Sequence, residues 1–133
     1  MTDLTNLAKE EFKGSNGFVK ANNYNIIKVE ENYCELEGLI TETSLNPYGI
    51  AHGGFIFGLA DTAAVIAARA TGRMAVTSSA SIEYLRSGKG EKIKAIAKCL
   101  KDGKNISVYE VYVYDTSDEL IARVSLSYFY IEK

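Results

Sequence analysis

The spacing of apolar and polar positions changes period several times along the chain, and each change marks an element. From Thr2 to Lys13, Leu4, Leu7, Ala8 and Phe12 recur at helical spacing with Thr2 or Asp3 ahead of them as N-cap, which predicts a short amphipathic helix. Gly14-Ser-Asn-Gly17 breaks it. Residues Phe18 to Asn25 show no clear period, and Asn22-Asn23 marks a turn. Ile26 to Val29 and Tyr33 to Thr41 then read as a hairpin joined by Glu30-Glu31-Asn32. In its second strand Cys34, Leu36, Gly38 and Ile40 alternate with Tyr33, Glu35, Glu37 and Leu39.

Next comes an apolar run from Ala51 to Ala70, read as a helix of about 18 residues and about 27 Å, stopped by Thr71-Gly72-Arg73 with Gly72 as a left-handed cap. The period then returns to two. Ala75 to Leu85 reads as a strand ended by Arg86-Ser-Gly-Lys-Gly90. Lys92 to Leu100 puts Ile93, Ala95, Ala97 and Cys99 on one face and Lys92, Lys94 and Lys98 on the other. Asp102-Gly103-Lys104-Asn105 is a hairpin turn by composition, followed by strands Ile106 to Asp115 and Leu120 to Ile131 around Thr116-Ser117-Asp118. Five or six strands interrupted by one long helix after the second predict an α+β domain over residues 1–133. Its helix packs on one face of an antiparallel sheet, and residues 1–17 form an N-terminal helix and turn.

Composition narrows the classes of function. The chain has 133 residues, 47% hydrophobic and 24% charged, as in an ordinary globular domain. A net charge of -2 argues against nucleic-acid binding. The first residues lack the basic flank and apolar run of a signal peptide, so a cytoplasmic protein is expected. A membrane-spanning reading of residues 51–70 is disfavoured, because Asp61 and Arg69 would each cost about 2.5–3.5 kcal/mol in a bilayer. Cys34 and Cys99 have no metal-ligand spacing and fall in strand-like segments, so both read as reduced core residues. With a single histidine in the chain, no metal site and no cofactor are expected.

Candidate chemistry gathers where the turn meets the long helix. Asn46-Pro-Tyr-Gly49-Ile-Ala-His52-Gly53-Gly54 holds the only histidine and the only proline. At a helix start, backbone N–H groups point outward and the dipole favours negative charge, so the Gly54 N–H is a candidate oxyanion donor, with Gly53 and Gly54 letting a carbonyl come close. The same glycines also suit a plain tight turn. Asp61 is the lone acid in the run, on one helical stripe with Gly54, Gly58 and Val65. It is a candidate general base or nucleophile; an ion pair or a neighbouring hydroxyl would equally satisfy a buried acid. Asn46 and Thr77 are further polar candidates, each also at home in an ordinary turn or strand.

Taken together, Asn46-x-x-Gly49-x-x-His52-Gly53-Gly54-x6-Asp61-Thr62 resembles the hotdog-fold acyl-CoA thioesterases of the phenylacetate-pathway type, the PaaI-like family. The similarity runs from about Phe18 to Tyr130 and includes Tyr84-Leu-Arg86-Ser-Gly88 and the Gly103-Lys104 turn. It implies an antiparallel sheet wrapped around a central helix, a homodimer with a continuous sheet, and a dimer of dimers. It implies that the Gly54 N–H polarises a thioester carbonyl while Asp61 of the other chain activates water or attacks. Asn46 would orient the thioester or water, His52 would support the loop, and Thr77 would position water. Phe55 and Tyr84, with Gly53, would bear on the acyl pocket, and Arg86, Lys89 and Lys104 would meet the CoA phosphates. Two other readings are a hotdog dehydratase or hydratase of 3-hydroxyacyl thioesters and a non-catalytic acyl-CoA-binding module.

Overall fold

A computed structural model describes residues 3–13, 17–88 and 90–131; the cap candidate Thr2, residues 14–16 of the first break, the Phe12 side chain and Lys89 lie outside the described residues. Helix α1 (Leu4–Lys13) starts where Asp3 Oδ1 accepts the N–H groups of Thr5 at 3.0 Å and Asn6 at 3.3 Å, the expected cap. The stretch without a period forms a single helical turn, α2 (Phe18–Ala21), and the Asn22-Asn23 turn follows, with Asn23 at φ 59°.

Strands β1 (Tyr24–Glu30) and β2 (Tyr33–Leu39) form the first hairpin, turned at Asn32 with φ 63°. A 3-10 turn (Glu42–Ser44) leads to the Asn46 loop, then to α3 (Gly53–Arg69). The rest is β3 (Met74–Tyr84), β4 (Lys92–Asp102), β5 (Ile106–Tyr114) and β6 (Leu120–Ile131). The six strands pair antiparallel throughout in the order β1-β2-β4-β5-β6-β3. Because α3 intervenes between β2 and β3 and packs across β2, β4, β5 and β6, the chain crosses the sheet and returns at the far edge.

Small residues let the helix sit close to that sheet. Ala60, Ala63, Ala64, Ala67 and Ala68 of α3 are fully buried, as are Leu36, Ala95, Ala97, Val111, Val113 and Val124 on the strands. Leu59 is also fully enclosed, which stabilises the fold by about 1.5–3 kcal/mol relative to exposure. At Gly58 an added Cβ would lie 2.6 Å from the Tyr24 hydroxyl and 2.9 Å from the Phe18 ring, so α2 and β1 close over α3 only because the position is glycine. The helix ends at Arg69 with Ala70, in right-handed conformation, as its C-cap; Gly72, expected as the cap itself, takes φ +94° two residues further on, a conformation that disfavours any side chain.

Edges and registers matter for the site. On β1, the Thr5 hydroxyl of α1 accepts from the Val29 N–H at 2.8 Å and lies 3.2 Å from its carbonyl, so α1 takes up edge groups of that strand. At the other edge, β3 is exposed along its length except at Ala75 and, in part, Ile82. Between Thr77 and Ser79 the β3–β6 register slips by one residue, making Ser78 the extra residue of a bulge. Before it Ala75 and Thr77 stand opposite the inward Tyr130 and Tyr128; after it Ala80, Ile82 and Tyr84 stand opposite the inward Leu126, Val124 and Ala122. Were Ser78 paired in an unbulged strand, strict alternation would turn Ser79, Ser81 and Glu83 inward instead. Among the described residues, no helix is long and apolar enough to cross a membrane.

Candidate active site

The loop before α3 is held by its own polar groups. Asn46 Oδ1 accepts the N–H groups of Tyr48 at 2.9 Å and Ile50 at 3.2 Å, while its own N–H donates to the Ile50 carbonyl at 2.8 Å. Those bonds assign the oxygen of the Asn46 amide inward, so its NH2 is the end available to an incoming carbonyl or water. Gly49, at φ +81°, closes the turn with a bond to the Asn46 carbonyl at 2.9 Å. The His52 N–H donates to the Ser44 carbonyl at 2.7 Å, which delivers the chain to the helix start.

His52 is the N-cap of α3. Its Nδ1 accepts the Gly54 N–H at 2.8 Å, so the amide nominated as oxyanion donor is occupied by the cap. This contact requires Nδ1 to be unprotonated and leaves Nε2 to carry the proton of the neutral ring. Tyr84, at the end of β3, places its hydroxyl on the Gly53 carbonyl at 2.7 Å, tying the edge strand to the first turn of the helix.

Two helical turns on, Asp61 is half-buried and bonded to two hydroxyls. Thr77 Oγ1 donates to Oδ1 at 2.8 Å; the Tyr128 hydroxyl lies 2.8 Å from the same oxygen and 3.0 Å from the Asp61 main-chain carbonyl. Thr77 and Tyr128 are cross-strand partners just before the bulge, which explains why both arrive at one carboxylate. Burial, and after it the Asp61 charge, push the Tyr128 phenol far above the ordinary tyrosine range, so it remains a donor. The sequence reading missed Tyr128 as a site residue; its inward position in the β6 alternation marked it only as core.

Other candidates fall elsewhere. Phe55 is buried against Tyr24, ring centroids 5.3 Å apart, in the core beneath the helix start. Arg86 is exposed and paired with Glu119 at 2.6 Å. Lys104 sits on the β4–β5 turn, whose carbonyls accept Arg73, while the Arg73 guanidinium stacks 3.4 Å above the Tyr130 ring and pairs with Asp102. Arg86 follows one end of β3 and Arg73 precedes the other, so within one chain Arg86 and Lys104 are separated by about the length of an eleven-residue strand. Cys34 is fully buried and its thiol is pushed up to about 12 by that burial, as suits a core residue and not a nucleophile.

A family model described as the thioesterase superfamily matches residues 48–122, from the Asn46 loop through α3 and on to β6. The chain belongs to the thioesterase superfamily. Acyl-coenzyme A thioesterase PaaI of Escherichia coli K12 is 33% identical over 104 residues, covering 77% of this chain and 74% of that protein. A putative esterase of Archaeoglobus fulgidus is 34% identical over 98 residues, or 73% of this chain; the chain spans 64% of that relative's length. The solved structure of E. coli PaaI superposes with a TM-score of 0.90 at 27% identity, covering 97% of this chain and 94% of that one. A Streptococcus mutans UA159 protein solved bound to acetyl CoA gives a TM-score of 0.79 at 32% identity, covering 84% and 90% of the two chains. The six-stranded antiparallel sheet with its single long helix is therefore the hotdog fold of this superfamily.

Proposed function

We propose that this superfamily member hydrolyses acyl-CoA thioesters to a free acid and CoA, with Asp61 as the reacting carboxylate. The observation that carries the reading is the environment of Asp61: a half-buried acid on α3, bonded at one oxygen by Thr77 and Tyr128. As general base, Asp61 takes a proton from water as the water oxygen bonds to the thioester carbon; the carbon–sulfur bond then breaks and the thiolate is protonated. As nucleophile, the same carboxylate displaces the CoA thiolate, which is protonated as it leaves, and the mixed anhydride so formed is opened by water to the free acid and the regenerated carboxylate. Either course needs a donor for the developing oxyanion. The naming of PaaI as an acyl-coenzyme A thioesterase, and of the S. mutans neighbour as bound to acetyl CoA, supports the substrate class.

One chain does not bring its own Gly54 and Asp61 together. Seven residues along a helix are about 10 Å, whereas an oxyanion donor must lie about 3 Å from the carbonyl oxygen it stabilises. The two are therefore assigned to different chains of a homodimer joined along the open β3 edge, itself part of a dimer of dimers. Antiparallel pairing of β3 with a second β3 would bring the Tyr84 end of one chain, with Gly53 and Gly54, alongside the Thr77 end of the other, with Asp61. The same pairing would set Arg86 of one chain near Lys104 of the other, a pair of cations for CoA phosphates; Lys89 lies on the same turn in sequence as Arg86. Acting as oxyanion donor requires the His52 ring to release the Gly54 N–H as substrate arrives. Cap and donor are alternative uses of one amide.

The test is Asp61→Asn assayed for free-thiol release from acetyl, medium-chain, long-chain and aryl-acyl CoA. A loss of at least about a hundredfold is expected on every substrate that the wild type cleaves. Wild-type turnover in the variant would remove Asp61 from the reaction.

A further inference from the structure

We propose that Tyr128 is a positioning residue: its hydroxyl, with that of Thr77, fixes the Asp61 side chain through Oδ1 and leaves Oδ2 as the oxygen that reacts. This rests on the reading of Asp61 as the reacting carboxylate and adds which of its two oxygens acts and what holds it.

An aspartate on a helix has several side-chain rotamers and two equivalent oxygens, and a reacting group gains from being held in one orientation. Three contacts remove that freedom here. Thr77 and Tyr128 both address Oδ1 at 2.8 Å, and the Tyr128 hydroxyl also touches the main-chain carbonyl of the same residue at 3.0 Å. The carboxylate is thereby pinned to its own backbone. Among the described residues, no hydrogen bond reaches Oδ2. Donors on Oδ1 draw its charge into short, charge-assisted bonds, so the unbonded Oδ2 is the stronger base and nucleophile.

Tyr128 itself cannot meet substrate in this arrangement, because it is fully buried, with its ring edge-on to Tyr109 at 5.8 Å between centroids. Its effect must pass through Asp61. That separates it from a binding residue, whose loss would raise KM, and from a packing residue, whose loss would lower stability without selecting kcat.

Thiol release from acetyl-CoA, or from whichever acyl-CoA the wild type cleaves fastest, is measured at steady state for Tyr128→Phe, Thr77→Val, Thr77→Ser and Asp61→Asn, with thermal melting of each. Phe keeps the ring and removes only the hydroxyl. Loss of a hydrogen bond to a charged group predicts a fall in kcat of about 10- to 100-fold in Tyr128→Phe, with KM within about twofold. Thr77→Val should fall similarly, while Thr77→Ser, which keeps a donor, should recover most of the rate. All assays are run well below the lowest melting temperature of the set, so that unfolding does not mimic a loss of kcat. Wild-type kcat in Tyr128→Phe alongside an inactive Asp61→Asn overturns the positioning role alone. A fall in Tyr128→Phe expressed only in KM overturns it as well. An active Asp61→Asn overturns the assignment of Asp61 and this proposal with it.

Discussion

His52 closes the first turn of α3 with its own ring, and so takes up the N–H of Gly54 two residues on. Replacing it with Ala should lower the unfolding free energy by about 0.5–2 kcal/mol, read as a shift in the urea midpoint, and His52→Asn should lower it by less because asparagine also caps. A histidine with no capping role would show no such ordering. The chemistry-bearing residues differ in how far the sequence disclosed them. Asp61 stood out because no other acid interrupts the run from Ala51 to Ala68, and a carboxylate among alanines demands an explanation in terms of bonding or function. Tyr128 did not stand out. It lies between Leu126 and Tyr130 in a clean inward alternation, and nothing in that pattern separates a tyrosine that merely packs from one whose hydroxyl is needed. Phe55 was expected to bear on the acyl pocket; it follows Gly54 by one residue, a rotation of about 100° along a helix, and its ring lies in the core against Tyr24.

At the scale of elements, the strands after α3 were legible because each buries one face and wets the other. Strand β4 is the plainest case, with Ile93, Ala95 and Ala97 buried and lysines outward. The bulge in β3 was not legible. Thr77-Ser78-Ser79 contains no glycine and no interruption of strand-forming residues, and an edge strand has no second neighbour to fix which face is inward. Yet the extra residue allows Thr77 to face Asp61 and Tyr84 to face Gly53 on one strand, since the two are an odd number of residues apart. Deleting Ser78 would place Thr77 and Tyr84 an even number of residues apart, so that an unbulged strand presents both inward; the sheet should stay folded, with unchanged far-ultraviolet circular dichroism and thiol release within about threefold of wild type. A large loss of activity would mean that the bulge acts through something other than the facing of these two residues. The short helix α2 escaped the sequence reading for a simpler reason: four residues are too few to establish a period.

For the whole molecule, the separation of Gly54 from Asp61 along α3 makes a prediction about mixtures. Gly54→Pro removes the N–H itself within the first turn, where proline is tolerated. Neither it nor Asp61→Asn should release thiol alone, but unfolding them together and refolding should restore about a quarter of wild-type activity. Random pairing makes half the dimers mixed, and each mixed dimer has one intact site out of two under the shared-site reading. No recovery from well-mixed chains would confine each site to one subunit. The two borders of the sheet bear on the same question. Thr5 occupies the Val29 N–H and carbonyl on one border, whereas β3 is open on the other. In the language of polymer growth, the shared-site reading gives the chain two unlike borders along the strand-pairing direction: joining two β3 borders would consume both, and each outer border of the product would be β1, where Thr5 already occupies the Val29 pair. Under that reading, lateral extension of the sheet beyond two chains would have to displace the Thr5 contact, whereas assembly through the faces would not.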